Sequence, residues 1–332
     1  MRVTRIKIVA PGIILNGQPM LNQLLARRVL IVLGKGGVGK TTLSAALALV
    51  AADSGARVLA MECDPRAPMA AGFGRQPAYD PVAITPKFST MVLDGAHALE
   101  EYLGLVVPGR AILRAVFHSR LYQFFVQAAP GLKELMMLGK IYYEIRQKSA
   151  KQARWDLIIL DAPASGQALS LLRMPTAARG TFGESIVGHE AHNIIRMLHD
   201  RRICAIAQVT TADSLALSET IETCEELHEM RLAPAAIFFN RLKTAEFDGA
   251  DIGFLKRHGS MLRNEKQLGY LTELARHELE RIAEQRAALA RLRKEIAAPV
   301  IEVPELRGVS GDELAKEIAS GLASAEATTA LA

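Results

Sequence analysis

Val29-Leu-Ile-Val-Leu-Gly-Lys-Gly-Gly-Val-Gly-Lys-Thr-Thr42 is the stretch of this 332-residue chain on which the fold turns. Val29 to Leu33 is an unbroken apolar run of strand length, and Thr41 to Ala52 has the composition of a helix. Between them Gly34 to Thr41 fit the pattern G-x-x-x-x-G-K-[ST]. Gly34, Gly36, Gly37 and Gly39, with Val38 among them, let consecutive backbone N–H groups turn inward. They form a cradle for a triphosphate at a helix N-terminus, within reach of Lys40, Thr41 and Thr42. In such a loop Lys40 reaches the β- and γ-phosphates and the Thr41 hydroxyl ligates Mg²⁺. Lys35 is surplus to that pattern. It stands on the crest of the loop, too far from its own phosphates if the loop has its usual shape, which suggests that it serves a neighbouring subunit.

Outward from the loop, apolar runs recur at Arg57–Glu62, Trp155–Leu160, Ile203–Val209, Ala235–Phe239 and Val300–Val303, with helical segments between them. That alternation predicts an α/β fold, a doubly wound and mostly parallel sheet covered on both faces, with ligands at the carboxyl ends of the strands. Two insertions interrupt the rhythm. The first, 95–152, is apolar and helical and carries Phe117, Tyr122, Phe124, Phe125, Met136, Met137, Tyr142 and Tyr143; the second, 248–297, ends in a long helix with Leu289, Leu292 and Ile296 at helical spacing. The two are expected to pack together as an α-helical subdomain. The whole of 20–325 then reads as a single domain with these insertions. Residues 1–19 form an N-terminal extension that the expected start at Met20 would leave out, and 326–332 form a frayed tail.

Composition narrows the class. Apolar residues make up 50% of the chain and aromatics 5%, with one Trp, as in a core of aliphatic side chains. There is no run of eighteen apolar residues, so no membrane-spanning helix is expected. The net charge is +5, but basic residues alternate with acids, which argues against a nucleic-acid surface. Three separated cysteines, Cys63, Cys204 and Cys224, argue against a disulfide framework and fit a reducing, cytoplasmic setting.

A phosphate loop needs carboxylates at neighbouring strand ends, one to hold Mg²⁺ through water and one to position the attacking water. Asp64 follows the second strand and Asp161 the third. His189, Glu190 and His192 lack the spacing of a zinc helix and read as surface residues. Cys204 reads as a strand-core residue.

The combined residues resemble the ArsA-type ATPases, the deviant-phosphate-loop (SIMIBI-like) family of arsenical-pump ATPases and tail-anchored-protein targeting factors. The resemblance is carried by Lys35–Thr42, Cys63-Asp64-Pro65, Asp156–Gly166 continuing to Leu171-Leu-Arg-Met-Pro175, Phe239-Asn240-Arg241 and Val303–Gly308. It implies Mg²⁺-dependent hydrolysis of ATP to ADP and phosphate by a homodimer, or a heterodimer with a paralogue. Lys35 would act across the dimer, Asp64 would orient the lytic water and Asp161 would hold Mg²⁺ through water. Asn240 and Arg241 would contact adenine, with Pro304 and Glu305 closing over the base. It implies also that a helical face binds a protein client or partner. Gln167 stands where that family commonly has histidine, and the zinc-binding Cys-x-x-Cys of the targeting factors and an arsenite-binding cysteine cluster are both missing. Other readings are a ParA/MinD-like positioning switch, a scaffold in which nucleotide is bound with negligible turnover, and the energising subunit of an arsenite pump.

Overall fold

The computed structural model describes residues 13, 20–66, 68–106, 131–149, 152–243 and 266–331. Among these, eight strands form one sheet: β1 (Val29–Leu33), β2 (Val58–Glu62), β3 (Val82–Ala83), β4 (Phe88–Val92), β7 (Leu157–Asp161), β8 (Cys204–Thr210), β9 (Ala236–Leu242) and β10 (Val300–Pro304). Their spatial order is β10-β9-β8-β1-β7-β2-β4-β3, and β5 (Lys148–Ser149) and β6 (Gln152–Ala153) form a separate short hairpin. Every pairing in the large sheet is parallel except β3 with β4. The predicted doubly wound architecture is therefore present, and the six strands expected from apolar runs all occur.

The helices are α1 (Met20–Leu25), α2 (Lys40–Asp53), α3 (Pro68–Gly72), α4 (Gly95–Val106), α5 (Leu132–Arg146), α6 (Ser165–Phe182), α7 (Ile186–His199), α8 (Ser214–Glu229), α9 (Lys266–Glu295) and α10 (Gly311–Leu331). Strands buried on both faces need apolar residues at successive positions, and β1 divides them cleanly. Leu30 and Val32 face the layer of α2 and α10, whereas Val29, Ile31 and Leu33 face the layer of α4 to α7. Beneath β9 and β10 a third cluster joins Phe239 and Val300 to Leu289 and Leu292 of α9 and Cys224 of α8.

That third cluster corrects one expectation. The described parts of the two insertions do not share a core: α4 and α5 pack in the cluster under β1, β2 and β7, while α9 belongs to the one at the β9–β10 edge. Topology is the reason, since α9 connects two neighbouring strands and is held beside them. Phe117, Tyr122, Phe124 and Phe125 lie outside the described residues, as does most of 1–19. At the other end the helix continues through the segment expected to fray. α10 runs to Leu331, helped by the high helix propensity of residues such as Ala319, Ala323 and Ala325. Glu326 within it accepts the Asn22 backbone N–H at 3.2 Å, which ties α10 to α1.

Candidate active site

β1 lies between β7 and β8, so its carboxyl end opens at the middle of the sheet, and the glycine loop there leads directly into α2. Two of its glycines are sterically required. A Cβ on Gly34, at φ +146°, would stand 2.3 Å from the Val209 carbonyl oxygen; one on Gly39, at φ +98°, would stand 2.4 Å from Asn240 Nδ2. Gly36 and Gly37 differ from these. They lie exposed on the crest beside Lys35, and a Cβ on either would meet nothing within 4 Å. Packing within the chain therefore does not demand bare backbone at either, but Gly37, at φ +86°, needs glycine for its left-handed backbone, which leaves Gly36 as the one whose part in the cradle rests on the approach of a phosphate alone.

Lys40 folds over the loop and its Nζ donates to the carbonyls of Gly34 (2.8 Å) and Lys35 (3.1 Å). Burial lowers the Lys40 pKa, and the negative charges of Asp161 and Glu219 counter this. Among the described residues the Lys35 ammonium has no hydrogen-bond or ion-pair partner.

Asp161 closes β7 beside the loop and is only 6% exposed. Its Oδ2 accepts the Thr41 hydroxyl at 2.6 Å and its Oδ1 the Ser44 hydroxyl at 3.4 Å. Burial pushes its pKa up to about 6, against the pull of those hydroxyls and of Lys40. A buried carboxylate with hydroxyl neighbours is the hard, all-oxygen donor set that Mg²⁺ takes, and the residues therefore fit that ion, with Thr41 and Asp161 the ones that could hold it.

Asp64 follows β2 and is clasped by Arg66. The guanidinium Nε donates to Oδ1 (3.0 Å) and Nη2 to Oδ2 (2.7 Å), and the Arg66 backbone N–H adds a bond to Oδ1 (2.9 Å). This clasp holds the Asp64 pKa below the usual carboxylate range. On the far side, one amide hydrogen of Asn240 goes to the Val38 carbonyl at 2.8 Å, which anchors the end of β9 to the phosphate loop. Asn240 Oδ1 accepts the N–H of Arg241, itself at φ +59°. The Glu305 N–H donates to Leu242 O at 2.9 Å, so Pro304 and Glu305 lie beside the Asn240–Arg241 strand end.

Four residues near these groups were not legible as site residues. Ser44 is one helical turn beyond Thr41 and could have been found from that spacing. Arg66 sits two residues from Asp64 without a recognisable motif. Glu219 reaches the neighbourhood of Lys40 only through the packing of α8. Glu62 is a charged residue ending an apolar strand, an anomaly visible in the sequence. The thiols outside the site are inert by burial: Cys204 lies in the core of β8 and Cys224 donates to Gln208 Oε1 at 3.2 Å, each with its pKa pushed up to about 12.

A glycine loop between a central parallel strand and a helix, with a buried carboxylate on the adjacent strand, defines a phosphate-loop nucleotide hydrolase. The family model described as "Anion-transporting ATPase" (ArsA_ATPase) matches residues 27–193, half of the chain. This chain belongs to that ArsA-type family and is an ATP-binding, ATP-hydrolysing enzyme. It is 29% identical over 308 residues to the ATPase BagA of Mycobacterium tuberculosis, covering 85% of this chain and 88% of that protein. To the ATPase GET3 of Kluyveromyces lactis it is 24% identical over 276 residues, covering 71% and 79%. A putative arsenical pump-driving ATPase of Aquifex aeolicus is 28% identical over 162 residues, 46% of this chain and 39% of that one. Among the described residues, no helix is long and apolar enough to cross a membrane.

Proposed function

We propose that the enzyme hydrolyses ATP with Mg²⁺ as a dimer in the cytoplasm, that each subunit contributes Lys35 to its partner's phosphates, and that opening and closing of the dimer drives a protein client or partner bound by its helical part. The observation that carries this reading is the disposition of the two loop lysines. Lys40 is folded onto its own loop, whereas Lys35, two residues after the strand, has a side chain without a partner among the described residues.

Phosphoryl transfer needs positioning and charge stabilisation more than covalent help from the protein. The loop amides of 34–40 and Lys40 bind and orient the phosphates, with Gly36 and Gly37 leaving the crest open to them. Thr41 and Asp161 hold the metal site, Asp161 through water. When bound, Mg²⁺ supplies neutralisation of phosphate charge. Asp64, released from Arg66, orients the attacking water. Asn240 and Arg241, with Pro304 and Glu305 beside them, form the adenine side. For coupling, the relevant feature is a cavity of 510 Å³ lined by Cys63, Pro163, Gln167, Glu134 and Met137. It brings residues next to Asp64 and Asp161 against α5, and Gln167 occupies it in place of the histidine common in the family. A second cavity, of 420 Å³, lies between α4, α5 and α7 and includes Leu105, Met136, Tyr142 and Ile194, chemistry suited to an apolar partner segment.

Lys35→Ala is expected to keep ATP binding within a few-fold and to lose hydrolysis by about 10³-fold or more, the scale of a cation supplied in trans. Phosphate release and binding of a fluorescent ATP analogue measure the two separately. Near-normal hydrolysis in the variant would refute the trans role.

A further inference from the structure

Glu62 ends β2 with no exposed surface, immediately before the turn that carries Asp64. Among the described residues its carboxylate is not paired with a cation. Instead Oε1 accepts the Met69 N–H at 2.7 Å, while Oε2 accepts the Ala70 N–H at 3.2 Å and the Thr90 hydroxyl at 3.1 Å. A buried carboxylate held only by neutral donors is expensive, and burial raises its pKa accordingly. Capping the short helix α3 does not need such a group, because a serine or aspartate at the cap does so at the surface.

The placement suggests what the carboxylate is for. The turn bearing Asp64 leaves Glu62 through the chain and returns to it through the amides of Met69 and Ala70, so a single residue grips both ends. Two backbone bonds fix that residue and its neighbour in turn: the Cys63 N–H donates to Asp161 O at 3.3 Å, and the Leu93 N–H donates to Glu62 O at 2.8 Å. Glu62 also stands opposite Asp161 in the β2–β7 register, on the same face of the sheet. The backbone carrying Asp64 is thereby referenced to the strand that ends in Asp161. The Asp64 side chain is a different matter, since its partner Arg66 is 87% exposed and a solvent-screened ion pair of that kind is readily exchanged.

We propose that Glu62 is a positioning residue for hydrolysis: its carboxylate holds the turn after β2 so that Asp64, once it leaves Arg66, meets the attacking water at the right distance. The inference rests on the role of Asp64 given above. Misplacement of a catalytic group by about 1 Å can cost about 10²-fold, so the consequence belongs to turnover and not to nucleotide affinity.

Glu62→Asp keeps the charge but withdraws the oxygens by one methylene. It is expected to lower kcat by about tenfold to a hundredfold with the dissociation constant of a fluorescent ATP analogue changed less than about threefold. Glu62→Gln keeps the reach and one amide acceptor and should retain more activity than Glu62→Asp. Thr90→Val removes only the hydroxyl and should leave kcat within about twofold of wild type. Unchanged kcat in both Glu62 variants would overturn the proposal, as would a parallel loss of kcat and nucleotide affinity, which marks simple destabilisation. If Glu62→Asp fails to fold, Glu62→Gln decides alone, with a kcat loss of about threefold or more at unaltered affinity as the supporting result. Asp64→Asn is run beside them. Should it hydrolyse ATP normally, the Asp64 reading fails and this one with it; should it be dead while the Glu62 variants are normal, only the positioning role is rejected.

Discussion

Asp161 is pulled in two directions by its position. The buried end of β7 places its carboxylate against Thr41 and Ser44, where a cation can be held, but the same burial lifts its pKa to about 6. The folded chain therefore binds this proton more tightly than the unfolded chain does. Stability from this group is highest below about pH 4, falls as pH rises to about 6, and stays lower by at most about 3 kcal/mol above that. Asp161→Asn removes the penalty and can still accept the Thr41 hydroxyl. We expect the variant to be more stable than wild type in urea at pH 8 without Mg²⁺, with the difference closing near pH 4, while its phosphate release is lost. Equal stability at pH 8 would show that the carboxylate carries no such cost.

At the scale of elements, α5 lines the cavity beside the turns after β2 and β7, and it is stiffened by a buried ion pair. Lys140 Nζ lies 2.9 Å from Glu144 and 2.8 Å from Glu101, and Glu144 also accepts the Trp155 indole N–H at 3.0 Å. Removing one partner leaves buried groups uncompensated, so Glu144→Ala should destabilise the protein by about 3 kcal/mol in urea unfolding. A loss under about 0.5 kcal/mol would mean that water or Glu101 replaces it.

The elements also mark how far the sequence could be read. β1, β2, β7, β8, β9 and β10 were legible because strands covered on both faces show as continuous apolar runs. β4 was not, because Ser89 and Thr90 interrupt Phe88–Val92, and the polarity of Thr90 makes sense only once Glu62 is opposite its hydroxyl. The same division runs through the site. Gly34 to Thr41 and Asp161 are local signatures and could be read directly, although the pattern does not separate Gly34, Gly37 and Gly39, which the fold itself requires by close contact or positive φ, from Gly36, which it does not. Glu62 and Glu219 acquire meaning from the sheet order and from helix packing, which bring distant segments together, whereas Ser44 follows from its spacing to Thr41. The expected union of the two helical insertions failed for the same reason: helical spacing identifies an apolar face but not the strands it lies against.

At the scale of the whole molecule, the sheet gathers the strand ends that carry Lys40, Asp64, Asp161, Asn240 and Glu305 onto one side, and the side chain of Lys35 beside them has no hydrogen-bond or ion-pair partner among the described residues. In the proposed dimer, a site completed by a second copy would make hydrolysis depend on closure, and so turn a nucleotide into a signal to a bound partner. Two inactive variants test this most directly. A Lys35→Ala subunit keeps its own Asp64, and an Asp64→Asn subunit keeps a Lys35 to donate, so a mixed dimer holds one complete site. Mixing equal amounts under conditions of subunit exchange should restore phosphate release to about a quarter of the wild-type rate, the share expected from random pairing with one competent site per mixed dimer. If each variant is inactive alone and the exchanged mixture stays inactive, Lys35 does not act across a dimer, and the central claim is contradicted.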